Sequence, residues 1–521
     1  MPSPNLPSTH LQHSRRTILR AGFVAAAAVV VAACAPTRSL APGRPVRSAA
    51  TPASTPPEPT AVTAEQISTR PLALTTPTTR PAAIQATTTP SAVGRQAGRA
   101  IGALGREYRA HPEVAGTVQF WHSWDGPRHV LVEGMIADMA AIYPSIKIET
   151  DLGDAASARE RLVTALASGT PPNAMMLKSD SLAYFAERGA LLPLNSVLAQ
   201  DGIGVDWFTP AELGSRTWDG QIYGLPQTTD GAQHLLFVNL GLLDKIGVDS
   251  ALPIRTWQDL DALVEPAVTA GYLVMDPGRM AVGMTAHQVW TYANGGRYWD
   301  GDLKKIGWSE QAGVQAAEWL VQFVKEQAGD YPRLASGGDP RAPLSAAEWS
   351  AERYVCCVNG AGWPYQLQQE AQRIRYAVYE VPHNALNPDS RGETPTTGGW
   401  TLAIPKSARD HEAAWEWLKL VTVSESACAF SERQRRPSPL AGCDDRAQAQ
   451  PSQPFWPVVS ASLARSVPVP NSPIQSQLEQ LYRQMQDDLL MARLAPADTL
   501  ENAARDAQQL LDDWHAKRKR P

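Results

Sequence analysis

Tryptophan and aspartate recur in this chain beside the ends of short β-type runs. Trp121, Ser123, Trp124 and Asp125 close the run 117–121, and Asp180 follows 174–177. Asp230 comes after Leu225-Pro226, Trp363 and Tyr365 after the Asn359-Gly360 turn, and Gly399 and Trp400 at the Gly398-Gly399 pair. In open α/β sheets, ligands sit beyond the carboxyl ends of strands, so these loops are where binding chemistry is expected. Carboxylates accept hydrogen bonds from vicinal hydroxyls, and an indole offers a flat apolar face with one N–H donor. Together they suit a sugar. A hydrogen bond to a charged group contributes about 1.5–3 kcal/mol. A few of them reach micromolar affinity, about 8 kcal/mol. Each residue also has a structural reading. Trp124 and Trp400 could be packing residues, Asp180 could cap a helix starting at Ser181, and Asp230 could be a turn residue before Gly231. Trp319, Trp415 and Trp417 sit at apolar helical spacing and read as core.

Catalytic and metal motifs are missing. The sequence has no GxSxG, HExxH or Walker A pattern, and its ten His form no convergent set. Asp300-Gly301-Asp302 is too short for a calcium loop. No cofactor and no metal are expected. Paired acids for glycoside hydrolysis stay open, since any two cleft carboxylates would qualify. Cys356 and Cys357 are adjacent, and Cys428 and Cys443 enclose a short loop that reads either as a disulfide or as two buried thiols.

The chain has 521 residues and a formal charge of -5. Residues 1–107 carry eleven Arg and three Glu, net +8, which leaves -13 for 108–521. So acidic a body is a poor nucleic-acid binder. The basic run Lys517-Arg518-Lys519-Arg520 reads as a solvated tail. The length suits two or three lobes. Trp (16) outnumbers Tyr (13) and Phe (8), an excess that fits flat ligands, with most of the indoles still expected in the core.

At the N-terminus, Arg15-Arg16 precede a 13-residue apolar run, 21–33. That is shorter than the ~20 residues a spanning helix needs, so it reads as an export signal. The paired arginines resemble the twin-arginine motif, with general secretion as the alternative. Val31-Ala32-Ala33-Cys34 resembles a lipobox, which implies cleavage before Cys34, lipidation there, and a membrane tether. Residues 35–93 hold eleven Pro, thirteen Thr and no aromatic residue. Such a stretch cannot bury enough apolar surface to order itself, so 34–113 is expected to be a disordered stalk, with a weak helix possible over 94–112.

The positioning elements follow from periodicity. A strand at 117–121, a helix at 130–142 and a strand at 146–150 make one parallel βαβ unit. A helix at 158–167, a break at Gly169 and a strand at 174–177 extend it. Further strands read at 233–238, 376–381 and 400–404, with helices at 313–326, 411–421 and 497–514. The fold class is α/β with an added helix-rich C-terminal part.

These elements carry familiar text. Thr117-Val118-Gln119-Phe120-Trp121-His122-Ser123-Trp124, then Tyr143-Pro144-Ser145-Ile146-Lys147-Ile148-Glu149, resembles the opening of bacterial extracellular solute-binding proteins of the sugar type. Leu166-Ala167-Ser168-Gly169-Thr170-Pro171-Pro172-Asn173, Asp219-Gly220-Gln221-Ile222-Tyr223-Gly224-Leu225-Pro226, Thr256-Trp257-Gln258-Asp259-Leu260 and Gly398-Gly399-Trp400-Thr401-Leu402 match later segments in order. Asn173 replaces the family's Asp, Gly126 stands where maltose-type relatives have Lys, and Leu177 replaces a Trp. Malto-oligosaccharide is therefore not specifically implied.

The resemblance implies a two-lobed, type II-like periplasmic-binding-protein fold. Lobe one would span 114–227 with part of 382–424, and lobe two 228–381 with most of 425–521. It also implies a monomer outside the cytoplasm that binds a small solute, hands it to an ABC permease and ATPase, and catalyses nothing. Asp125, Asp180 and Asp230 fall where relatives place polar ligand contacts, and Trp363 where they stack an aromatic ring. His287, Gln288 and Trp290 lie near the second-lobe contact loop. Two other readings stay open: a surface carbohydrate-active enzyme, and a binder of a non-sugar solute such as a glycerol phosphodiester, polyamine or peptide. The acid-rich loops disfavour a phosphate more than a cation.

Overall fold

Two parallel strands and the helix between them begin the larger sheet of the computed structural model. It describes residues 62–63, 99–154, 157–229, 232–280, 284–335, 343–444 and 455–518, all within one unit, Glu58–Pro521. The export signal, Cys34 and nearly all of 35–98 lie outside the described residues.

In chain order, lobe one holds β1 (Arg99–Ile101), β2 (Glu107–Arg109), β3 (Gly116–His122), α1 (Gly126–Ile142), β4 (Ile146–Leu152), α2 (Ala158–Ser168), β5 (Ala174–Lys178) and β6 (Leu225–Pro226). The chain crosses to lobe two at β7 (Leu235–Asn239), followed by α3 (Ala286–Ala293), α4 (Gln311–Ala328), β8 (Cys356–Asn359), α5 (Trp363–Glu370) and β9 (Tyr376–Glu380). It returns through β10 (Thr394–Thr396) and β11 (Trp400–Ala403) to α6 (His411–Val423) and α7 (Glu425–Arg433). It ends in lobe two with α8 (Trp456–Ala464), β12 (Ser466–Pro468), α9 (Gln475–Leu490) and α10 (Pro496–Arg518). No helix among the described residues is long and apolar enough to cross a membrane.

The lobe-one sheet has the order β4-β3-β5-β11-β6, with β3 parallel to both β4 and β5 and β11 antiparallel to β5 and β6. Its centre is buried on both faces. In β5, Ala174 and Met176 enter one apolar cluster while Met175 and Leu177 enter another, the period-two split that a pleated strand imposes. Helix α2 stops at Gly169, whose left-handed φ of 71° lets its N–H cap Ala165 and Leu166. In lobe two, β7 is wholly buried between β8 and β9 in an antiparallel sheet. Leu236 and Val238 face one cluster and Leu235 and Phe237 the other. β10 and β12 pair in parallel beside the crossing.

Three segments differ from expectation. Residues 99–109, expected in the stalk, form a β1–β2 hairpin whose Ala100 and Tyr108 pair in register and enter the lobe-one core. Arg106 fixes it through the carbonyls of Trp207 and Ala441, both at 3.2 Å. Val62 and Thr63 likewise pair antiparallel with Val378 and Ala377 of β9. Residues 425–443, expected mainly in lobe two, pack into lobe one through Cys428, Phe430, Leu440 and Cys443. A Cys428–Cys443 disulfide, Cα atoms 5.6 Å apart, closes that segment. Cys356 and Cys357 are buried free thiols.

The basic C-terminal run is not wholly solvated. Arg518, on the last turn of α10, sits 3.2 Å from Glu187 and 2.8 Å from Asp219 of lobe one. Trp514 of the same helix meets Trp218 of lobe one, ring centroids 5.9 Å apart.

At the crossing, Arg216 is fully buried. Its guanidinium donates to Glu212 Oε2 at 2.7 Å and to the Trp400 carbonyl at 2.9 Å. Gly398 lies against it with a left-handed φ of 86°, and a Cβ there would stand 1.8 Å from Ser215 Oγ and 2.4 Å from Arg216 Nη1. Only glycine fits this close approach.

Candidate functional site

Both lobes wall one cavity of about 190 Å³. Lobe one supplies Arg159 and Glu160 from the first turn of α2, and Leu177, Lys178, Asp180 and Ser181 from the end of β5. Lobe two supplies Gln475, Ser476 and Glu479 from the first turns of α9. Asp180 is held in a short 3-10 turn, Ser179–Ser181, and accepts from Ser181 Oγ at 3.0 Å. It caps no helix. Burial, and then the Glu479 carboxylate on the opposite lobe, push its carboxyl above the ordinary value. Glu479 is paired with Arg483 one turn along, 2.8 Å to Nε. Gln475 is 7% exposed and its Oε1 has no partner among the described residues.

Around Asp180 the structure gathers the crossing. Trp400 pairs in register with Lys178, two residues before Asp180. Ser179 N–H donates to the Gly399 carbonyl at 3.0 Å. Its hydroxyl lies 2.9 Å from the carbonyls of both Gly398 and Gly399. The indole of Trp400 is half-buried and meets Trp124 edge-on at 5.7 Å. Trp124 itself is enclosed, 1% exposed, with Nε1 donating to Gln227 at 3.0 Å. It supports Trp400 from beneath. Trp121 is partly exposed, but the Arg161 guanidinium covers its ring at 3.7 Å. Ser123 is half-buried. Asp125 is exposed at the start of α1, and its 2.6 Å contact with Arg128 holds its carboxyl low.

Besides Trp124, three expected contacts are core residues instead. Trp363 is 3% exposed, edge-on to Phe237 at 4.8 Å and Trp349 at 5.3 Å. It begins α5, which turns its indole under the lobe-two sheet. Trp290 is fully buried between Trp257 and Trp319. His287 is fully buried, with Nδ1 2.7 Å from Tyr298 Oη and Nε2 2.9 Å from the Gly313 carbonyl. Burial drives its pKa down to about 4, so it is a neutral packing imidazole. Helix α3 is buried all round, which removes both residues from any cleft. Asp230 and the side chain of Tyr365 lie outside the described residues.

The cavity residues missed by the sequence reading are Leu177, Lys178 and Ser181 beside Asp180 and those of α2 and α9. Gln475 and Glu479 are four apart on one helix face, a signal only once the helix is known to meet lobe one. A second cavity, about 370 Å³, lies within lobe one alone, between 111–115, 192–201 and 411–416. Beside it His111, Asp201 and Glu416 bring one potential metal-ligand atom each within 4.8 Å of one another. The Lys419 ammonium already sits on them, 2.6 Å from Asp201 and 2.8 Å from Glu416. The cluster is a buried ion network.

Comparison with known proteins agrees with this fold. A sequence model described as Bacterial extracellular solute-binding protein matches residues 131–427, more than half of the chain. The sn-glycerol-3-phosphate-binding periplasmic protein UgpB of Escherichia coli (strain K12) is 26% identical over 161 residues, 30% of this chain and 37% of that protein. The chain thus spans just over a third of the curated relatives it matches. Among solved structures, the substrate-binding protein Lmo0181 of Listeria monocytogenes, in complex with cycloalternan, aligns at TM-score 0.63 and 17% identity over 76% of this chain and 99% of its own. A solute-binding protein of Thermotoga lettingae bound with α-D-tagatose aligns at 0.61 and 20%, over 76% and 100%. At these identities the likeness is one of fold.

Proposed function

Because the chain belongs to the bacterial extracellular solute-binding protein family, we propose that it captures a sugar or oligosaccharide between its lobes and delivers it to the permease of an ABC importer. The observation that carries this reading is the interlobe cavity, whose polar walls come from Asp180 and Ser181 on one side and Gln475, Ser476 and Glu479 on the other. A site built from both lobes is complete only when they close, so binding and closure are one event. Asp180 accepts hydroxyl hydrogen bonds; Trp400, on the neighbouring strand and outside the cavity's walls, is assigned the apolar face from its sequence position. Asp230 is assigned to the same loop cluster from its sequence position. No group in the cavity is called on for catalysis. Two structural neighbours hold saccharides, which supports the sugar class.

A second reading, a glycerol-phosphate solute, draws on Arg159 and Lys178 and on the match to UgpB. Thermal-shift measurements with sugars and with sn-glycerol 3-phosphate separate the two: stabilisation by the phosphate alone overturns the sugar reading. Within the sugar reading, Asp180→Asn and Trp400→Ala are each expected to weaken binding about ten- to a hundredfold. Both side chains are half-buried, so melting should stay near native. Intact affinity with lowered melting would return them to packing roles.

Export by the twin-arginine or the general secretory route, and lipidation at Cys34, complete the proposal. The folded body would then stand off the membrane, as a monomer, on the part of the Pro/Thr-rich segment that precedes Val62. Cys34→Ala protein is expected in the soluble fraction after cell lysis, and its full retention in membranes would refute the anchor.

A further inference from the structure

The charges around Asp180 say more about the solute than its class. Asp180 forms no ion pair among the described residues, and Ser181 Oγ is its hydrogen-bond donor. Lys178, on its own segment with an exposed side chain, and Arg159 both line the cavity and temper the rise of its carboxyl, without an ion pair to it among the described residues. From α2, the Arg159 guanidinium stacks over Tyr184 at 4.3 Å, and Glu160 is exposed. From α9 it faces Glu479, Tyr482 and Arg483, and Arg483 is engaged by Glu479. Gln475, nine-tenths buried, adds an acceptor oxygen with no donor among the described residues.

Acceptors therefore converge from both lobes: the Asp180 carboxylate, the Glu479 carboxylate and Gln475 Oε1. A neutral hydroxyl would satisfy their geometry but leave the Asp180 carboxylate, as water leaves the closing cavity, with only the more distant charges of Lys178 and Arg159, neither of which forms an ion pair with it among the described residues. An ammonium carries three donors and one positive charge, which matches both counts. We propose that the captured solute carries an ammonium group, as an amino sugar does, and that Asp180 is its counter-ion, with Gln475 and Glu479 completing the cradle across the cleft. The inference rests on the sugar reading above and narrows it.

The test uses three β-1,4-linked disaccharides that differ at C2: cellobiose (hydroxyl), diacetylchitobiose (acetamide) and the chitosan dimer (ammonium). Affinities for the full-length chain are measured by calorimetry, with spermidine as a non-sugar ammonium. The chitosan dimer is expected to bind about tenfold or more tighter than cellobiose. That preference should disappear in Asp180→Asn and shrink in Glu479→Gln, and it should fade as pH rises through the titration of the sugar amine. Equal or tighter binding of cellobiose or diacetylchitobiose would overturn the ammonium inference and leave the sugar reading intact. So would a preference unchanged in a folded Asp180→Asn protein. Binding of spermidine with no response to any disaccharide, or no binding at all, would overturn both together.

Discussion

Lys419→Met is expected to cost about 3–5 kcal/mol of folding stability, the range seen when one partner of a buried ion pair is removed. The Lys419 ammonium is fully buried and donates to Asp201 at 2.6 Å and the Arg109 carbonyl at 2.7 Å, with Glu416 at 2.8 Å. Without it, two carboxylates stand buried with less compensation. Asp201 keeps donors in Trp415 at 2.8 Å and His111 at 2.9 Å, and Glu416 keeps Tyr143 at 2.5 Å. Removing the charge that causes the cost should therefore recover part of it. Lys419→Met with Glu416→Gln is expected to be more stable than Lys419→Met alone. Urea denaturation checks both variants, and a loss below about 1 kcal/mol in the single variant would show that the network tolerates an uncompensated carboxylate.

Arg216→Met is expected to have an effect of similar size, about 3–5 kcal/mol, at the crossing between the lobes. Arg216 neutralises Glu212, which is 2% exposed and also accepts from Thr229. It also holds the Trp400 carbonyl, and so ties the stem of the first lobe to the strand that carries the proposed stacking indole. Replacing both charges, Arg216→Met with Glu212→Leu, removes the stranded carboxylate and should regain much of the loss. If the double variant is no better than the single one, the cost lies in the lost carbonyl hydrogen bonds rather than in the ion pair. Thermal and urea unfolding of the two proteins decide this.

The framework of lobe one was readable because local signals agreed with tertiary demands. Val118 and Phe120 alternate inward along β3, α2 ends at the glycine that breaks its pattern, and Thr256 caps the next lobe's helix in a box with Asp259. Burial of individual side chains was not readable. An indole beside a glycine-rich turn, as at Trp363, has the same sequence context whether it faces a ligand or a core. Charged residues buried as fully as Arg216 and Lys419 are exceptions to the usual partition and carry no local mark. The α9 wall of the cavity comes from nearly three hundred residues beyond Asp180. Its Gln475 and Glu479 look in sequence like the wet face of an amphipathic helix. The β1–β2 hairpin was hidden because its short strands sit among glycines that suggested helical spacing.

The joining of α10 to lobe one bears on how this molecule should be handled. Arg518 and Trp514 contact Glu187, Asp219 and Trp218, so the last turn of α10 bridges the two lobes that the proposed closure would bring together. An affinity tag or fluorescent reporter fused just beyond Arg518 would start beside that bridge and could bias the opening it was meant to observe. Labels for distance measurements belong instead on exposed positions of each body away from it, such as Val130 on one and Leu386 on the other.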